Sequence, residues 1–156
     1  MPTEEDGMEL IIRPAEAGDL AAVAALEAEC FSFPRSEDYI AHSLDEFIVA
    51  ERDGRFLGYA DAVALLDEGY MGNIAVLPEH RGEGVGDTLL TALLRWGREK
   101  NLSFLTLEVR EQNLPARSLY EKHGFEVVGL RKNYYEKPTD NAVLMTYYYK
   151  EGTQQC

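Results

Sequence analysis

The segment from Asn73 to Gly86 reads N-I-A-V-L-P-E-H-R-G-E-G-V-G and constrains the fold more than any other part of the chain. An apolar run ends at a proline, and three glycines at alternate positions precede an amphipathic stretch, so the order is strand, tight loop and helix. Such a loop lets several backbone N–H groups face one anion, and the N-terminus of the next helix adds positive partial charge. The segment therefore predicts a cradle for a diphosphate.

The helix after this loop is predicted to be packed, because its apolar residues recur at spacings of three and four and also cover much of the other side. They are Val85, Leu89, Leu90, Ala92, Leu93, Leu94 and Trp96. Two common phosphate loops are excluded, since no Gly-Lys-Ser or Gly-Lys-Thr follows and the G-x-G-x-x-G spacing is absent. What remains is Arg-x-x-Gly-x-Gly at positions 81, 84 and 86. By itself, such a loop can also be an ordinary turn.

The length of 156 residues suits one domain, which we expect at residues 10–150, between a disordered leader at 1–9 and a flexible tail at 151–156. An apolar fraction of 46% and a charged fraction of 28% are typical of a soluble globular protein. No apolar run approaches the roughly 20 residues that cross a bilayer. The leader carries acids and no Lys or Arg, so it lacks the basic start of a secretory signal.

The cysteines and the net charge bear on compartment and partners. Cys30 and Cys156 lie far apart in sequence, which favours free thiols in a reducing cytoplasm, and no metal-ligand spacing is present. With 15 basic and 28 acidic side chains, the net charge of -13 disfavours nucleic acid and favours a cationic partner such as a basic peptide, although it can equally serve solubility alone. We expect a cytoplasmic monomer or weak dimer with no membrane partner.

Caps, turns and the periods of apolar residues predict the element order β-α-α-β-β-β-α-β-α-β-β. Only the strand, helix and strand around residues 73 to 109 require a parallel crossover, so the sheet is expected to be mixed. The apolar run Phe104–Val109 is typical of a strand buried on both faces. The other predicted strands are Leu10–Ile12, Phe47–Ala50, Phe56–Leu65, a run ending at Leu77, Phe125–Leu130 and Ala142–Tyr149.

Local signals predict where helices start and where the chain turns. Helix starts are predicted at Asp19, after a Ser36 cap, after the glycine loop and after an Asn113 cap; turns are predicted at Asp53–Gly54 and Asp67–Gly69, with a left-handed helix end at Gly124.

Both the loop pattern and the element order resemble the GNAT family of N-acetyltransferases, whose coenzyme loop reads Gln or Arg, two residues, Gly, one residue, then Gly or Ala. Further segments resemble its RimI-type branch, the ribosomal protein alanine N-alpha-acetyltransferases. They are N-I-A-V at 73–76, L-E-V-R at 107–110, N-L-P-A-R-S-L-Y at 113–120, H-G-F at 123–125, R-K-N-Y-Y at 131–135 and C-F-S-F-P at 30–34. The chain departs from this branch at Arg35, where relatives commonly carry tryptophan, and at the tyrosines of 147–149.

This resemblance implies an α/β (α+β) GNAT fold: a seven-stranded, mostly antiparallel mixed sheet with a central β-α-β crossover and about four helices. It also implies acetyl-CoA as cosubstrate, without a metal. The residues implied to bind it are Ile74, Ala75, Val76, Arg81, Gly82, Glu83, Gly84, Val85, Gly86, Asp87, Thr88, Asn113 and Tyr120.

Within that set, relatives splay the strand of residues 74–76 from its neighbour so that its backbone pairs with the pantetheine arm. Arg81 and the amides of residues 82–87 would hold the diphosphate, with Thr88 adding a hydroxyl. The side chains of Glu83 and Asp87 are expected to turn outward. Asn113 would bond the same arm, although as a plain helix cap it needs no ligand.

Glu108 is the odd residue of its apolar strand. A carboxylate buried there without a partner would have a raised pKa. It lies near the C-terminal end of a parallel strand, where open α/β sheets place ligands. The resemblance implies a general base, and the alternative is an ion pair with Arg110 or Arg117.

Moving an acetyl group from a thioester to an amine requires a neutral amine, a polarised carbonyl and a proton for the thiolate. The resemblance implies that Tyr120 supplies the proton, while a core aromatic is the alternative. It further implies that Phe33, Glu108, Tyr134 and Tyr135 bind the acceptor, although the last two can equally be packing residues. His42, His80 and His123 are expected to be structural or surface residues.

The implied function is N-alpha-acetylation of a protein N-terminus, that of alanine in a ribosomal protein. An α-amino group, with a pKa of about 8 against about 10.4 for lysine, is within reach of a carboxylate base acting through water. Alternatives are a lysine side chain, a polyamine or a small-molecule amine, and, from another class, a non-catalytic CoA-binding or partner module.

Overall fold

The computed structural model describes residues 9–149. Its strands are β1 (Leu10–Pro14), β2 (Phe47–Arg52), β3 (Arg55–Leu65), β4 (Glu68–Val76), β5 (Phe104–Arg110), β6 (Glu126–Tyr135) and β7 (Asp140–Tyr148). Its helices are α1 (Leu20–Cys30), α2 (Glu37–His42), α3 (Val85–Glu99) and α4 (Leu114–Lys122), with short 3-10 helices at Ala17–Asp19, Leu44–Glu46 and Pro78–His80. The predicted element order is confirmed. The predicted leader (except Glu9), the predicted tail and Cys156 lie outside the described residues.

The strands form a seven-stranded sheet in the order β1-β2-β3-β4-β5-β7-β6. β4 and β5 pair in parallel, whereas β1 with β2, β2 with β3, β5 with β7 and β6 with β7 pair antiparallel. The mixed sheet with a crossover from β4 to β5 is therefore confirmed. A second crossover was not predicted, since β5 and β6 lie on either side of β7, are both antiparallel to it and are joined by α4. No helix among residues 9–149 has the length and apolar character needed to cross a membrane.

Contacts along the described chain group into two units, residues 9–61 with 73–92, and residues 62–72 with 93–149. In the first unit, α1 and α2 contribute apolar side chains that pack with those of the strands. This core contains Val23, Leu26, Ile40, Phe47, Val49, Tyr59 and Ala75. Ser36 caps α2 by accepting a hydrogen bond from the Tyr39 amide, as predicted. Asp53 and Gly54 both have positive φ, which matches the predicted hairpin turn.

In the second unit, β5 has one buried face, so its prediction as a strand buried on both faces is wrong. Leu105, Leu107 and Val109 are buried, whereas the alternate residues are only partly buried. Strand geometry sends alternate side chains to opposite faces, and the second face carries Thr106, Glu108 and Arg110. This alternation gives Glu108 access to solvent.

One turn differs slightly from its prediction. β4 already begins at Glu68, and Leu66 takes the left-handed conformation, with a φ of 57°. The predicted turn at Asp67–Gly69 is therefore placed one to two residues too late. The turn was predicted from the glycine, but Gly69 lies inside β4, where a Cβ would be 2.6 Å from Leu102 Cδ1.

The backbones of β3 and β4 approach each other so closely at Gly58 that the position has no room for a side chain. A Cβ on this residue would lie 2.5 Å from the carbonyl oxygen of Ala75 in β4. Nearby, the Leu77 amide donates to the Leu57 carbonyl over 2.8 Å. Any side chain at position 58 would push on the end of β4.

We expect Gly58→Ala to lower the free energy of unfolding by about 1–3 kcal/mol, because the clash is with backbone and not with a flexible side chain. Urea denaturation measures this change. Gly18→Ala is the matched control, since nothing lies within 4 Å of a Cβ at that position, and a shift of at most about 0.5 kcal/mol is expected there. Equal effects of the two substitutions would contradict the close approach.

Candidate active site

The glycine loop between β4 and α3 has an open, left-handed backbone. Gly82 and Gly84 have φ of 81° and 86°, and no atom lies within 4 Å of a Cβ built on either. The Gly84 carbonyl accepts from the Thr88 amide at 3.1 Å and from the Thr88 hydroxyl at 2.9 Å. The loop thus leads directly into the first turn of α3, with space at both glycines for a ligand to approach the backbone.

The charged side chains of the loop contact their own chain. Arg81 donates from Nε to the Val76 carbonyl at 3.0 Å and from Nη2 to Cys30 Sγ at 3.5 Å. The Glu83 carboxylate pairs with Arg52 at 2.9 Å and with His80 at 3.2 Å. Both of these contacts lower the pKa of Glu83. The anion-binding capacity of the loop therefore rests on its backbone, and a diphosphate contact by Arg81 stays a prediction.

Strand β4 extends beyond its pairing with β5. Within the described residues, the parallel register runs from Glu68 with Phe104 to Tyr70 with Thr106, while β4 continues to Val76. Ala75 is buried, and Ile74 and Val76 are partly buried. This register is the one expected if the end of β4 offers backbone groups to an extended ligand.

Glu108 has a partner that the sequence analysis did not foresee. Its Oε2 accepts from Nε of Arg131 in β6 at 2.9 Å, and the two side chains are 32% and 55% exposed. A hydrogen bond to Glu108 raises the pKa of Tyr134, whose ring lies 5.8 Å from the Arg131 guanidinium. The carboxylate is thus held at the surface by a cation and a phenol. The signal was present, since the R-K-N-Y-Y segment begins at Arg131.

Of the two ion pairs considered for Glu108, the pair with Arg117 is wrong, whereas the pair with Arg110 stays a prediction. Arg110 donates to the carbonyls of Glu136 and Pro138, at 2.8 and 2.7 Å. Arg117 donates to the Glu111 carbonyl at 2.9 Å. Both arginines thus donate to backbone carbonyls.

The two tyrosines at the end of β6 differ in environment. Tyr135 is partly buried under the Arg110 guanidinium, which lies 4.6 Å from its ring, and burial raises its pKa to about 12. Tyr134 is 51% exposed and meets the Tyr135 ring edge-on, at a centroid distance of 5.1 Å. Packing therefore accounts for Tyr135, while Tyr134 is available to a ligand.

Helix α4 carries the other predicted residues of the second unit. Asn113 Oδ1 accepts from the Ala116 amide at 3.2 Å, which confirms the helix cap. Tyr120 is 6% exposed, and its ring centroid lies 5.6 Å from that of Phe125. Its position is thus well defined by packing, whereas its proposed proton transfer stays a prediction.

Phe33 lies between α1 and α2 and is 60% exposed. Among the histidines, His42 bonds the Asp38 carbonyl at 2.8 Å on an exposed helix face, as expected for a surface residue. Cys30 is partly buried, and burial raises the pKa of its thiol.

The model of the acetyltransferase (GNAT) family matches residues 20–125. The ribosomal protein bS18-alanine N-acetyltransferase of Haemophilus influenzae is 38% identical over 144 residues, covering 88% of this chain and 98% of that protein. The enzyme of that name in Escherichia coli is 33% identical over 141 residues, covering 86% and 94%. The crystal structure of the ribosomal-protein-S18-alanine N-acetyltransferase from Escherichia coli gives a TM-score of 0.86 at 29% identity, covering 95% of this chain and 99% of that chain.

The fold and the family match define an acetyl-CoA-dependent N-acetyltransferase. This chain belongs to the acetyltransferase (GNAT) family, and the resemblance to its ribosomal protein alanine branch is confirmed by relatives that match nearly their whole length. The open glycine turn at the start of α3 fits the diphosphate of the coenzyme, because its geometry exposes backbone rather than side chains.

Gly84→Asp is expected to weaken CoA binding at least about tenfold, because a side chain is strained at this φ and its carboxylate repels a diphosphate. Isothermal titration calorimetry with CoA measures the effect. Gly18→Asp adds the same charge at an open position outside the loop and should leave the affinity within about twofold. Unchanged CoA affinity in Gly84→Asp would refute the role of the loop.

Proposed function

We propose that this protein acetylates the N-terminal alanine of a ribosomal protein, using acetyl-CoA by direct transfer. The observation that carries the proposal is the surface carboxylate of Glu108, held by Arg131 and Tyr134 on the partly exposed face of β5. The relatives also support the proposal, because they are similar over nearly their full length and are named as alanine N-acetyltransferases of a ribosomal protein. A ribosomal protein as acceptor would also place the enzyme in the cytoplasm.

The residues of the chain can meet the requirements of the reaction. Bound acetyl-CoA supplies the acetyl group as a thioester. In this proposal, the coenzyme is held by Ile74, Ala75 and Val76 and by the loop of residues 81–88. Glu108 accepts, through a water molecule, the proton that the acceptor ammonium releases. Tyr120 holds a proton on its phenolic oxygen for the departing thiolate.

The acceptor is proposed to be an α-amine and not a lysine, on grounds of basicity. An α-ammonium has a pKa of about 8, so a sizeable fraction is neutral near pH 7, whereas lysine at about 10.4 is almost fully charged. Glu108 is a partly exposed carboxylate, so a water molecule can reach it and relay the proton that such an amine releases.

We assign acceptor binding to Phe33 of the first unit and to Tyr134 of the second, each an exposed aromatic side chain, with Tyr135 packed against Tyr134. Phe33 lies on a connecting segment, where binding residues are common, and Tyr134 lies near the end of β6. The net charge of -13 further favours a basic acceptor by steering its approach.

Peptide acetylation followed by mass spectrometry tests the acceptor. We expect product on peptides that begin with the free alanine of a ribosomal protein, and none on the same peptides when the N-terminus is blocked and a lysine is present. Peptides beginning with Ser or Met serve as controls. Modification of blocked peptides would move the acceptor to lysine, and CoA binding without any peptide product would leave a small amine or a non-catalytic module.

Glu108→Gln and Tyr120→Phe are each expected to lower kcat by about a hundredfold or more, because each removes a proton-transfer group but preserves shape. Affinity for CoA should change by less than about threefold. Steady-state kinetics with the alanine peptide and calorimetry with CoA give the two quantities.

The matched controls are Glu126→Gln and Tyr148→Phe, which make the same chemical changes at exposed positions. Their kcat is expected to equal that of the unmodified enzyme within about twofold. Full turnover by Glu108→Gln would remove Glu108 from the mechanism.

A further inference from the structure

The first unit contains a buried polar network. None of its members has been given a role in the reaction above. The Arg35 network consists of Glu27, Arg35, Tyr59, Asp61 and Asn73. Its two carboxylates are almost fully buried, with Glu27 1% and Asp61 4% exposed. In the sequence, Arg35 stands out only as a departure from relatives, and its partners were not predicted.

One guanidinium serves both carboxylates. Arg35 donates from Nε and Nη2 to the two oxygens of Glu27, at 2.9 and 3.0 Å. It also donates from Nη1 and Nη2 to the two oxygens of Asp61, at 2.9 and 3.0 Å. Only the planar fork of arginine can bond two carboxylates in this bidentate way.

The remaining members complete the hydrogen bonding of the carboxylates. The Tyr59 hydroxyl and the Asn73 amide group, at 3.1 Å, donate to Glu27 Oε1. The backbone N–H of Asn73 donates to Asp61 Oδ1 at 2.9 Å. Burial alone would raise the pKa of Glu27, but the hydrogen bonds from Arg35 and Tyr59 outweigh it and lower the pKa to about 2. Both buried oxygens of Glu27 are thus satisfied.

Arg35 fixes the position of segment 31–36, which contains Phe33. The Arg35 backbone N–H donates to Glu27 Oε2 at 2.9 Å, in addition to the side-chain bonds. The guanidinium also lies 5.3 Å from the ring centroid of Phe47. Segment 31–36 is therefore fixed through both the backbone and the side chain of one residue.

Asn73 fixes the position of the end of β4, where residues 74–76 are proposed to bind the coenzyme. It directly precedes Ile74, Ala75 and Val76, and it reaches Glu27 and Asp61 through its own side chain and backbone. These bonds do not pass through Arg35. The same two carboxylates thus hold two chain segments by separate sets of hydrogen bonds.

We propose that Arg35 and Asn73 are positioning residues, Arg35 for the acceptor-binding segment 31–36 and Asn73 for the coenzyme-binding end of β4, with Glu27 and Asp61 as their common anchor. The proposal rests on the proposed function, which assigns Phe33 to the acceptor and residues 74–76 to the coenzyme. Stability alone gives little reason for such a network, because two buried anions and one cation are commonly no more stable than well-packed apolar side chains.

The separate sets of bonds predict opposite kinetic effects. Arg35→Lys keeps the charge but loses the fork, so segment 31–36 is loosened. We expect KM for the alanine peptide to rise at least about tenfold and KM for acetyl-CoA to stay within about threefold. Asn73→Ala removes the side-chain bond at the start of residues 74–76, so it should raise KM for acetyl-CoA about fivefold and leave KM for the peptide within about threefold.

Steady-state kinetics with each substrate varied in turn tests this division, with melting temperature measured on the same samples. Arg55→Lys, the same change at an exposed arginine of β3, is the control and should alter neither KM. If Arg35→Lys does not fold, the double variant Arg35→Gln with Glu27→Gln replaces it, since it removes one charge of each sign and keeps acceptor oxygens for Tyr59 and Asn73.

Equal changes of both KM values in both variants, or a lowered melting temperature with neither KM changed, would overturn the proposal. Phe33→Ala separates this result from a failure of the proposed function. A raised peptide KM in Phe33→Ala with an unchanged one in the Arg35 variant would reject the positioning role alone. An unchanged peptide KM in Phe33→Ala would reject the acceptor assignment of segment 31–36, and the proposal with it.

Discussion

Burial of two carboxylates against one guanidinium is the interaction on which the first unit depends. Glu27 comes from α1, Asp61 from β3, and Arg35 from the connection between α1 and α2. Removing one partner of a buried ion pair typically costs about 3–5 kcal/mol, because the remaining charge stays buried without compensation. The helix, the connection and the strand therefore have one arrangement in which every charge is satisfied. The end of β4 is included in this arrangement, since Asn73 bonds to the same carboxylates.

Elements whose decisive interactions are local could be predicted from the sequence. The Ser36 and Asn113 caps each bond an amide three residues away, so the signal and its partner lie in one short segment. The Asp53–Gly54 turn depends only on the backbone freedom of its own residues. The glycine loop belongs to the same class, because positive φ at Gly82 and Gly84 is a property of glycine itself.

Apart from the displaced turn before β4, the failures concern contacts between residues that are distant in sequence. Glu108 pairs with Arg131, 23 residues away, whereas the candidates considered were two and nine residues away in the chain. Arg35 and Asp61 are 26 residues apart. The buried face of β5 likewise depends on which neighbours cover it, and an apolar run such as Phe104–Val109 does not show whether one face or both are covered. Site roles taken from the family resemblance therefore stay predictions, while the side-chain pairs are findings of the structure.

A protein with a net charge of -13 that binds a polyanionic coenzyme requires a local source of attraction. In the proposed site, that source is the backbone, because the amides after Gly82 and the N-terminus of α3 carry fixed positive partial charge. One carboxylate of the loop, Glu83, is paired with Arg52 and His80, which reduces its repulsion. Other acids act weakly beyond the Debye length of about 8 Å at physiological ionic strength. The acidic exterior can therefore attract a basic acceptor at long range without opposing the coenzyme at short range.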